Sequence, residues 1–218
     1  MSQTFKIRKG HDIKLVGSAP ITDLGRITAS TYAVTPLDFP GITPKLAVKA
    51  GTQVKAGDTL FFDKDRPEVK ICSPVSGEVA EVKRGAKRKI LAVLILADSD
   101  ITYADHGAFS FSGGTREDAE AHFGTTGVGA FITSRPYGVA ASMSEKPRAI
   151  FVNGIQSGPL AGDLAYQLEG KEKSLATALK ALKLMTEGMV YVSHDADCAP
   201  IEALQSLEAT HITFSGKH

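Results

Sequence analysis

The residues best suited to chemistry form a short polar run near the C-terminal end of the sequence. His194, Asp195, Asp197 and Cys198 follow an apolar segment at 189–193. Imidazole, carboxylate and thiolate groups bind metals, and histidine and aspartate also act as general bases. Consecutive loop side chains seldom converge on one ion, so a hydrogen-bonded Asx turn is the favoured interpretation and a ligand site is the alternative. Spacing assigns no catalytic residue and no metal-binding set.

A glycine-rich segment could cradle a phosphate. Gly124, Gly127 and Gly129 are spaced closely enough for backbone N–H groups to bind an anion at the start of a helix. Here, however, the glycines follow a predicted helix, and their order and the residues after them do not match a Walker loop. We therefore expect a turn.

A basic run lies between two apolar segments. Five of the seven residues at 83–89 are lysine or arginine, which predicts an exposed hairpin tip. A solvated tip that prevents strand pairing at a sheet edge is the favoured interpretation. Docking to acidic lipid headgroups, to an acidic protein partner or to a nucleic acid is the alternative. The chain has a net charge of only +1 and no aromatic residue interleaves with the run, so a nucleic acid is disfavoured.

Two halves with different patterns must position these residues. Up to residue 98, short apolar segments alternate with glycine and proline turns and predict an all-β unit; they lie at 45–48, 59–62, 69–72, 78–82 and 90–96. After residue 98, strands are predicted at 148–153, 189–193 and 211–214, and helices at 115–123, 172–185 and 200–207. Alternating strands and helices predict a parallel sheet of Rossmann-like topology. We expect a β domain over 1–98 and an α/β domain over 99–218.

Composition excludes several other classes of protein. The 218 residues are 43% hydrophobic and 22% charged, which is typical of a globular chain. Cys72 and Cys198 are too few for a disulfide framework. The longest aliphatic run, 90–97, is too short to span a bilayer, and the N-terminus lacks the apolar stretch of a signal peptide. Any membrane association is expected to be peripheral.

The spacing of two glycine turns in the first half resembles the biotinyl/lipoyl domain family. The matching residues are Val48, Gly51, Val54, Gly57, Asp58, Leu60, Ser73, Pro74, Ser76, Gly77 and Val79. The resemblance implies a barrel-sandwich hybrid. The family's carrier lysine would align with Arg66 or Pro67, neither of which can be acylated, and Lys64 lies out of register. A scaffold is therefore expected here, and a carrier or interaction module is the alternative.

Segments along the whole chain resemble, in order, the NqrA family of subunits, which belong to the Na⁺-translocating NADH:quinone oxidoreductases. The segments lie at 62–69, 74–79, 84–88, 134–137 (Ser-Arg-Pro-Tyr), 150–153, 159–163, 195–197 and 214–218 (Phe-Ser-Gly-Lys-His). Family members are roughly twice as long. The resemblance therefore implies an N-terminal fragment whose α/β domain is truncated at its C-terminus.

This resemblance implies a peripheral subunit on the cytoplasmic side of the bacterial inner membrane. The complex has six subunits and couples electron transfer from NADH to quinone with Na⁺ export. FAD, an iron–sulfur cluster, FMN and riboflavin are expected on the other subunits and none on this chain, for which quinone is the one ligand left open. Other subunits are the expected partners, with no nucleic acid and no transmembrane segment.

The second half also resembles the FMN- and NADH-binding subunit of respiratory complex I. That protein's FMN loop would align with residues 127–134, which lack its arginine and several of its glycines. Its acidic NADH loop would align with residues 153–159, which carry no carboxylate. We expect a related fold that has lost both binding functions. A stand-alone flavin- or NADH-binding oxidoreductase is the alternative.

Six residues in family-like segments are candidates for binding partner subunits or quinone: Arg135, Tyr137, Asn153, Asp163, Asp195 and Asp197. We expect them in loops gathered on one face, at the carboxyl ends of parallel strands, where open α/β sheets bind ligands. Arginine and tyrosine are common anchors at interfaces. The alternative is an ion pair from Arg135 to Asp163 or Asp195 that only fixes a loop.

Overall fold

The computed structural model describes residues 3–11, 13, 15–17, 20–25, 27–110, 113–158 and 160–216. It divides into two compact units, which we call the barrel unit (26–145) and the sheet unit (1–25 with 146–218). Pro159, Lys217 and His218, which belong to segments of the family resemblance, lie outside the described residues.

The strands of the described chain are β1 Gln3–Ile7, β2 Thr31–Val34, β3 Pro44–Leu46, β4 Gln53–Val54, β5 Thr59–Asp63, β6 Lys70–Cys72, β7 Gly77–Arg84, β8 Ile90–Ala97, β9 Thr133–Ser134, β10 Val139–Ala140, β11 Ala149–Val152, β12 Met189–Asp195 and β13 Thr210–Gly216. The α-helices are α1 Arg116–Thr126, α2 Leu164–Leu168, α3 Glu172–Leu184 and α4 Glu202–Gln205. No helix in the described parts of the chain is long and apolar enough to cross a membrane.

The barrel unit is built from antiparallel sheets with the orders β2-β8-β7-β4 and β3-β5-β6, and from the small hairpin β9–β10. Its five predicted strands are present within a few residues of the predicted bounds. Side chains with no exposed surface fill the core, among them Leu60, Phe61, Val79 and Val93. Gly77 has φ +148°, and a Cβ atom there would lie 1.8 Å from the Leu96 carbonyl oxygen, so only glycine allows β7 to start there beside β8.

Helix α1 belongs to the barrel unit and begins as its sequence predicts. The Thr115 side chain accepts from the Asp118 N–H, and the Asp118 carboxylate accepts from the Thr115 N–H, which makes a capping box. The helix continues past the predicted end and stops at Gly127, which is left-handed with φ +74°.

The division into two units differs from the boundary predicted at residue 98 in two segments. Residues 99–145 fold with the barrel, since the Thr102 N–H donates to Ser76 Oγ and the Ala104 N–H donates to the Ala56 carbonyl. Strand β1, by contrast, pairs in parallel with β13. In both cases hydrogen-bond partners that are distant in sequence decide the placement.

The sheet unit contains a wholly parallel sheet of order β1-β13-β12-β11, which confirms the predicted parallel arrangement of β11, β12 and β13. Leu179 of α3 packs with Val190 and Val192 of β12 and with Leu204 and Leu207 at α4. The predicted apolar stripe of α3 is thus core packing. Within it, Ala178 is exposed and Ala181 is buried instead, which shifts the stripe partly around the helix. Strand β1 and helix α2 were not predicted.

A buried carboxylate ties the hairpin β5–β6 to two other segments of the barrel unit. Asp63, 1% exposed, accepts from the Thr43 N–H at 2.9 Å and from Arg66 Nε at 2.7 Å. Arg66 also donates from Nη1 to the Ala140 carbonyl at 2.5 Å and from Nη2 to the Gly41 carbonyl at 3.0 Å. Burial raises the pKa of Asp63, but the hydrogen bonds from Thr43, Arg66 and Asp65 outweigh it, so the pKa is lowered overall.

We expect Arg66→Ala to destabilise the barrel unit by about 2–3 kcal/mol, because it leaves a buried carboxylate without its cation. Urea unfolding at neutral pH measures the change. Lys64→Ala in the same hairpin is the control, since Lys64 is exposed and its loss should cost no more than about 0.5 kcal/mol. Equal effects of the two substitutions would contradict the assignment.

The same pair sets a pH dependence. Because the folded-state pKa of Asp63 is lowered, its stabilisation is complete above the ordinary aspartate pKa of about 3.9 and is lost as the pH falls through the folded-state pKa. The gap in stability between the unmodified chain and Arg66→Ala should therefore narrow on acidification.

Candidate functional site

The carboxyl edge of the parallel sheet is held by an amide and a hydroxyl. Asn153, directly after β11, accepts at Oδ1 from Ser193 Oγ at 3.0 Å and from the Ile155 N–H at 3.2 Å. The Gly154 N–H donates to Ser193 Oγ at 3.1 Å. A Cβ atom at Gly154 would lie 2.4 Å from the Ser193 carbonyl oxygen, so the loop after β11 rests directly on β12.

The polar run after β12 forms the Asx turn that its sequence favours. Asp195 Oδ1 accepts from the Asp197 N–H at 2.8 Å, and Asp197 Oδ2 accepts from the Gly216 N–H at the end of β13 at 3.0 Å. Cys198 Sγ donates to Asp195 Oδ2 at 3.2 Å. This hydrogen bond, followed by burial, raises the pKa of the Cys198 thiol, so the sulfur stays protonated and is a poor nucleophile or metal ligand.

Two imidazoles meet on the sheet. His194 belongs to β12 rather than to a loop, and its Nε2 lies 2.7 Å from Nδ1 of His211 on β13. His211 Nε2 lies 2.9 Å from the Leu207 carbonyl oxygen, which can only accept; His211 Nδ1 must then accept from His194 Nε2. Burial, with the charge of His211, lowers the pKa of His194. No group of three or more candidate metal ligands occurs in the described part of the chain.

The structure distributes the six candidate residues over both units. Asn153 and Asp195 lie at the carboxyl edge as expected, and Asp197 lies just beyond it. Asp163 is the N-cap of α2 and accepts from the Tyr166 N–H at 2.7 Å.

Arg135 and Tyr137 are not beside a parallel strand, which corrects that part of the expectation. They lie in the turn of the antiparallel hairpin β9–β10 in the barrel unit, and Tyr137 is 82% exposed. That the six residues share one binding surface stays a prediction, and so does the alternative ion pair of Arg135.

An apolar groove lies beside the same hairpin. It has a volume of about 380 Å³, and Thr133 of β9 and Ala140 of β10 line one side. Phe39 and Phe131 line it as well, with their rings edge to face at 5.7 Å. The volume is within the range of small-molecule sites, and the groove was not predicted because its residues come from segments far apart in sequence.

The glycine-rich segment does not fit FMN phosphate. Gly127 ends α1, and the C-terminal end of a helix carries the negative end of its dipole, which repels an anion. The space beside Gly127 is taken by Cys72, since a Cβ atom would lie 2.6 Å from its Sγ, and the space beside Gly129 is taken by Met143. These glycines serve close packing within the barrel unit.

The loop aligned with the NADH-binding loop also lacks the means to hold a nucleotide. Asn153 spends its amide on Ile155 and Ser193, and α2 begins well beyond the end of β11, at Leu164. Among the described residues, no helix N-terminus therefore follows β11 closely enough to receive a phosphate in the way of a dinucleotide fold.

Sequence reasoning missed Ser193, Gly154 and His211 as members of the carboxyl edge. The Asn153-Gly154 dipeptide was a usable signal, since Asn-Gly marks a tight turn. Ser193 gave a weaker one, as a hydroxyl residue at the end of an otherwise apolar strand.

An antiparallel barrel with glycine turns and a parallel α/β sheet with a polar carboxyl edge define a chain of the barrel-sandwich plus α/β class. The family model of the NqrA N-terminal barrel-sandwich hybrid domain matches residues 5–98, and that of the NqrA second alpha/beta domain matches residues 114–218. The chain belongs to the NqrA family.

Curated relatives agree with this assignment. The chain is similar to proteins named as the A subunit of the Na(+)-translocating NADH-quinone reductase, with 32% identity over 216 residues for Teredinibacter turnerae and 30% over 216 residues for Cellvibrio japonicus. The protein of Vibrio alginolyticus is 29% identical over 215 residues. The first two alignments cover 98% of this chain and 48% of each relative, so the chain spans about half the length of the curated relatives it matches.

We expect no carrier modification of the hairpin β5–β6. Arg66, at the aligned position, is held by Asp63 and two carbonyls, and Lys64 is out of register. Intact-mass spectrometry after co-expression with biotin ligase or lipoate ligase should show the unmodified mass. One stoichiometric adduct would defeat the prediction.

We also expect no binding of FMN or NADH to this chain tighter than about 1 mM, which corresponds to about 4 kcal/mol, because neither loop offers a phosphate cradle. Isothermal titration measures it. Saturable micromolar binding would support the alternative of a flavin- or NADH-binding oxidoreductase.

Proposed function

We propose that this chain forms the barrel-sandwich and α/β part of the NqrA subunit in a Na⁺-translocating NADH:quinone reductase, where it is an accessory component without a redox cofactor. The observation that carries the proposal is similarity over 98% of the chain to curated proteins named for that role. In this proposal the NqrA subunit is peripheral, on the cytoplasmic side of the bacterial inner membrane. The other subunits carry FAD, the iron–sulfur cluster, FMN and riboflavin.

The proposal includes a Rossmann-like relation of the α/β domain to the FMN- and NADH-binding subunit of complex I. The parallel neighbours β11, β12 and β13, with helices in the connections, support it. The lost phosphate cradles argue that the fold is kept without its nucleotide chemistry. The isolated chain is then not catalytic, and its contribution is to bind partners or quinone.

The hairpin β9–β10 is the surface of the barrel unit that best supports such binding. Its turn presents Arg135 and Tyr137 to solvent, and its strands line the apolar groove. Phe131, at the groove, is 77% exposed. Rigid aromatic rings beside an arginine and an apolar pocket are the composition of an interface anchor, and the same groove suits the apolar part of a quinone.

We expect Arg135→Ala with Tyr137→Ala, made in the intact NqrA subunit of the assembled complex, to weaken its retention by about tenfold or more. If quinone is the ligand, retention stays normal and the KM for quinone rises instead. Pull-down through a tag on another subunit and quinone reductase assays separate the two results. The melting temperature of the 218-residue chain should not change.

Tyr103→Ala is the matched control, because Tyr103 is 71% exposed in the same unit and away from this hairpin in sequence. A large fall in melting temperature with normal retention and activity would make the turn a structural feature and withdraw the assignment.

A further inference from the structure

The basic run at 83–89 forms the tip of the hairpin β7–β8, which we call the basic tip. It carries five cations, none of them buried: Lys83, Arg84, Lys87, Arg88 and Lys89. In the described part of the chain, none of them forms an ion pair with a carboxylate. Their charge is therefore free to act on a partner.

The backbone of the basic tip is well defined. The Gly85 N–H donates to the Lys89 carbonyl at 2.8 Å, and Arg84 Nη1 donates to the Arg88 carbonyl at 3.0 Å. Lys87 and Arg88 have φ +54° and +61°. The left-handed region favours glycine or asparagine and is strained for other residues, so two cations occupy positions where backbone energetics alone would select uncharged residues.

The rest of the chain has the opposite charge. The chain contains 25 basic and 24 acidic residues, and five of the basic ones lie in the basic tip; the remainder therefore has an excess of four acidic residues. An anionic surface would attract the tip and repel the remainder, which favours approach with the hairpin pointing at that surface.

The composition of the tip distinguishes among anionic partners. Three of the five cations are lysine, which is depleted at protein–protein interfaces, and no aromatic residue is present to stack on bases. A cluster of four to eight lysine and arginine residues, by contrast, is typical of segments that bind anionic lipid headgroups. Exposed Leu91, at the foot of the hairpin, offers an apolar side chain beside the cations.

We propose that the basic tip is a docking site for an anionic lipid bilayer, which it contacts with Lys83, Arg84, Lys87, Arg88 and Lys89. Binding is electrostatic and reversible, and the hairpin holds the charges at one end of the barrel sheet. Assembly with the other components of the complex, proposed above, uses a different surface and is tested separately.

The test is co-sedimentation of the 218-residue chain with vesicles of phosphatidylcholine containing about one-quarter phosphatidylglycerol. We expect binding at about 0.1 M salt that is abolished at about 1 M salt, where charges are screened, and no binding to pure phosphatidylcholine. Lys87→Asn with Arg88→Asn should weaken binding by about 25-fold. Asparagine tolerates the left-handed conformation, so the melting temperature should not fall.

Lys173→Gln with Lys180→Gln on α3 is the matched control, since it removes the same charge from exposed helical positions and should leave vesicle binding unchanged. Three results would overturn the proposal: no sedimentation with the anionic vesicles, equal loss in the control, or unchanged binding in the tip variant. Binding of a single-stranded DNA oligomer without binding of vesicles would assign the tip to nucleic acid and also overturn it.

Discussion

The barrel unit depends on one buried carboxylate. Asp63 lies at the end of β5, and its partner Arg66 reaches the carbonyls of Gly41 and Ala140, so one ion pair joins the hairpin β5–β6, the segment before β3 and the hairpin β9–β10. A buried carboxylate is tolerated only when it is fully hydrogen-bonded, which fixes all three segments together. The same constraint explains why the hairpin is not expected to be a carrier: the position aligned with a carrier lysine is used to hold the fold and to place the hairpin beside the apolar groove.

The polar groups at the carboxyl edge of the parallel sheet satisfy one another. Asn153 is bonded to Ser193, and Asp197 to the N–H of Gly216, so each loop is anchored to the neighbouring strand. Among the described residues, such an edge is preorganised but presents few unpaired donors and no assembled acid–base pair, and this favours recognition over chemistry. The exposed Arg135 and Tyr137, in contrast, have side chains available to a partner, which is why the barrel unit carries the proposed interface.

Local signals predicted the local structure well. The capping box of Thr115 and Asp118, the Asx turn at Asp195 and the basic hairpin tip all depend on residues within a few positions of one another. Long-range pairing was beyond the sequence: β1 is defined by β13, at the other end of the chain, and residues 99–145 are defined by the barrel strands they bond. The His194–His211 contact was missed for the same reason, because β12 runs further than its apolar pattern and brings His194 level with its neighbour. Arg135 and Tyr137 were placed by family-like motifs and not by pairing, so their hairpin was not foreseen.

Retention of an α/β fold without its nucleotide chemistry has a simple physical basis. The core of the sheet unit is made by apolar side chains such as Leu179, Val190 and Val192, none of which lies in a loop. Phosphate binding depends instead on backbone N–H groups at helix starts and on glycines that leave room for the ligand. Filling that room, as Cys72 does beside Gly127 in the barrel unit, improves packing while it removes the cradle. Loops can therefore lose a ligand at no cost to the core, and the exposed hairpins become the part of the molecule where binding can be rebuilt.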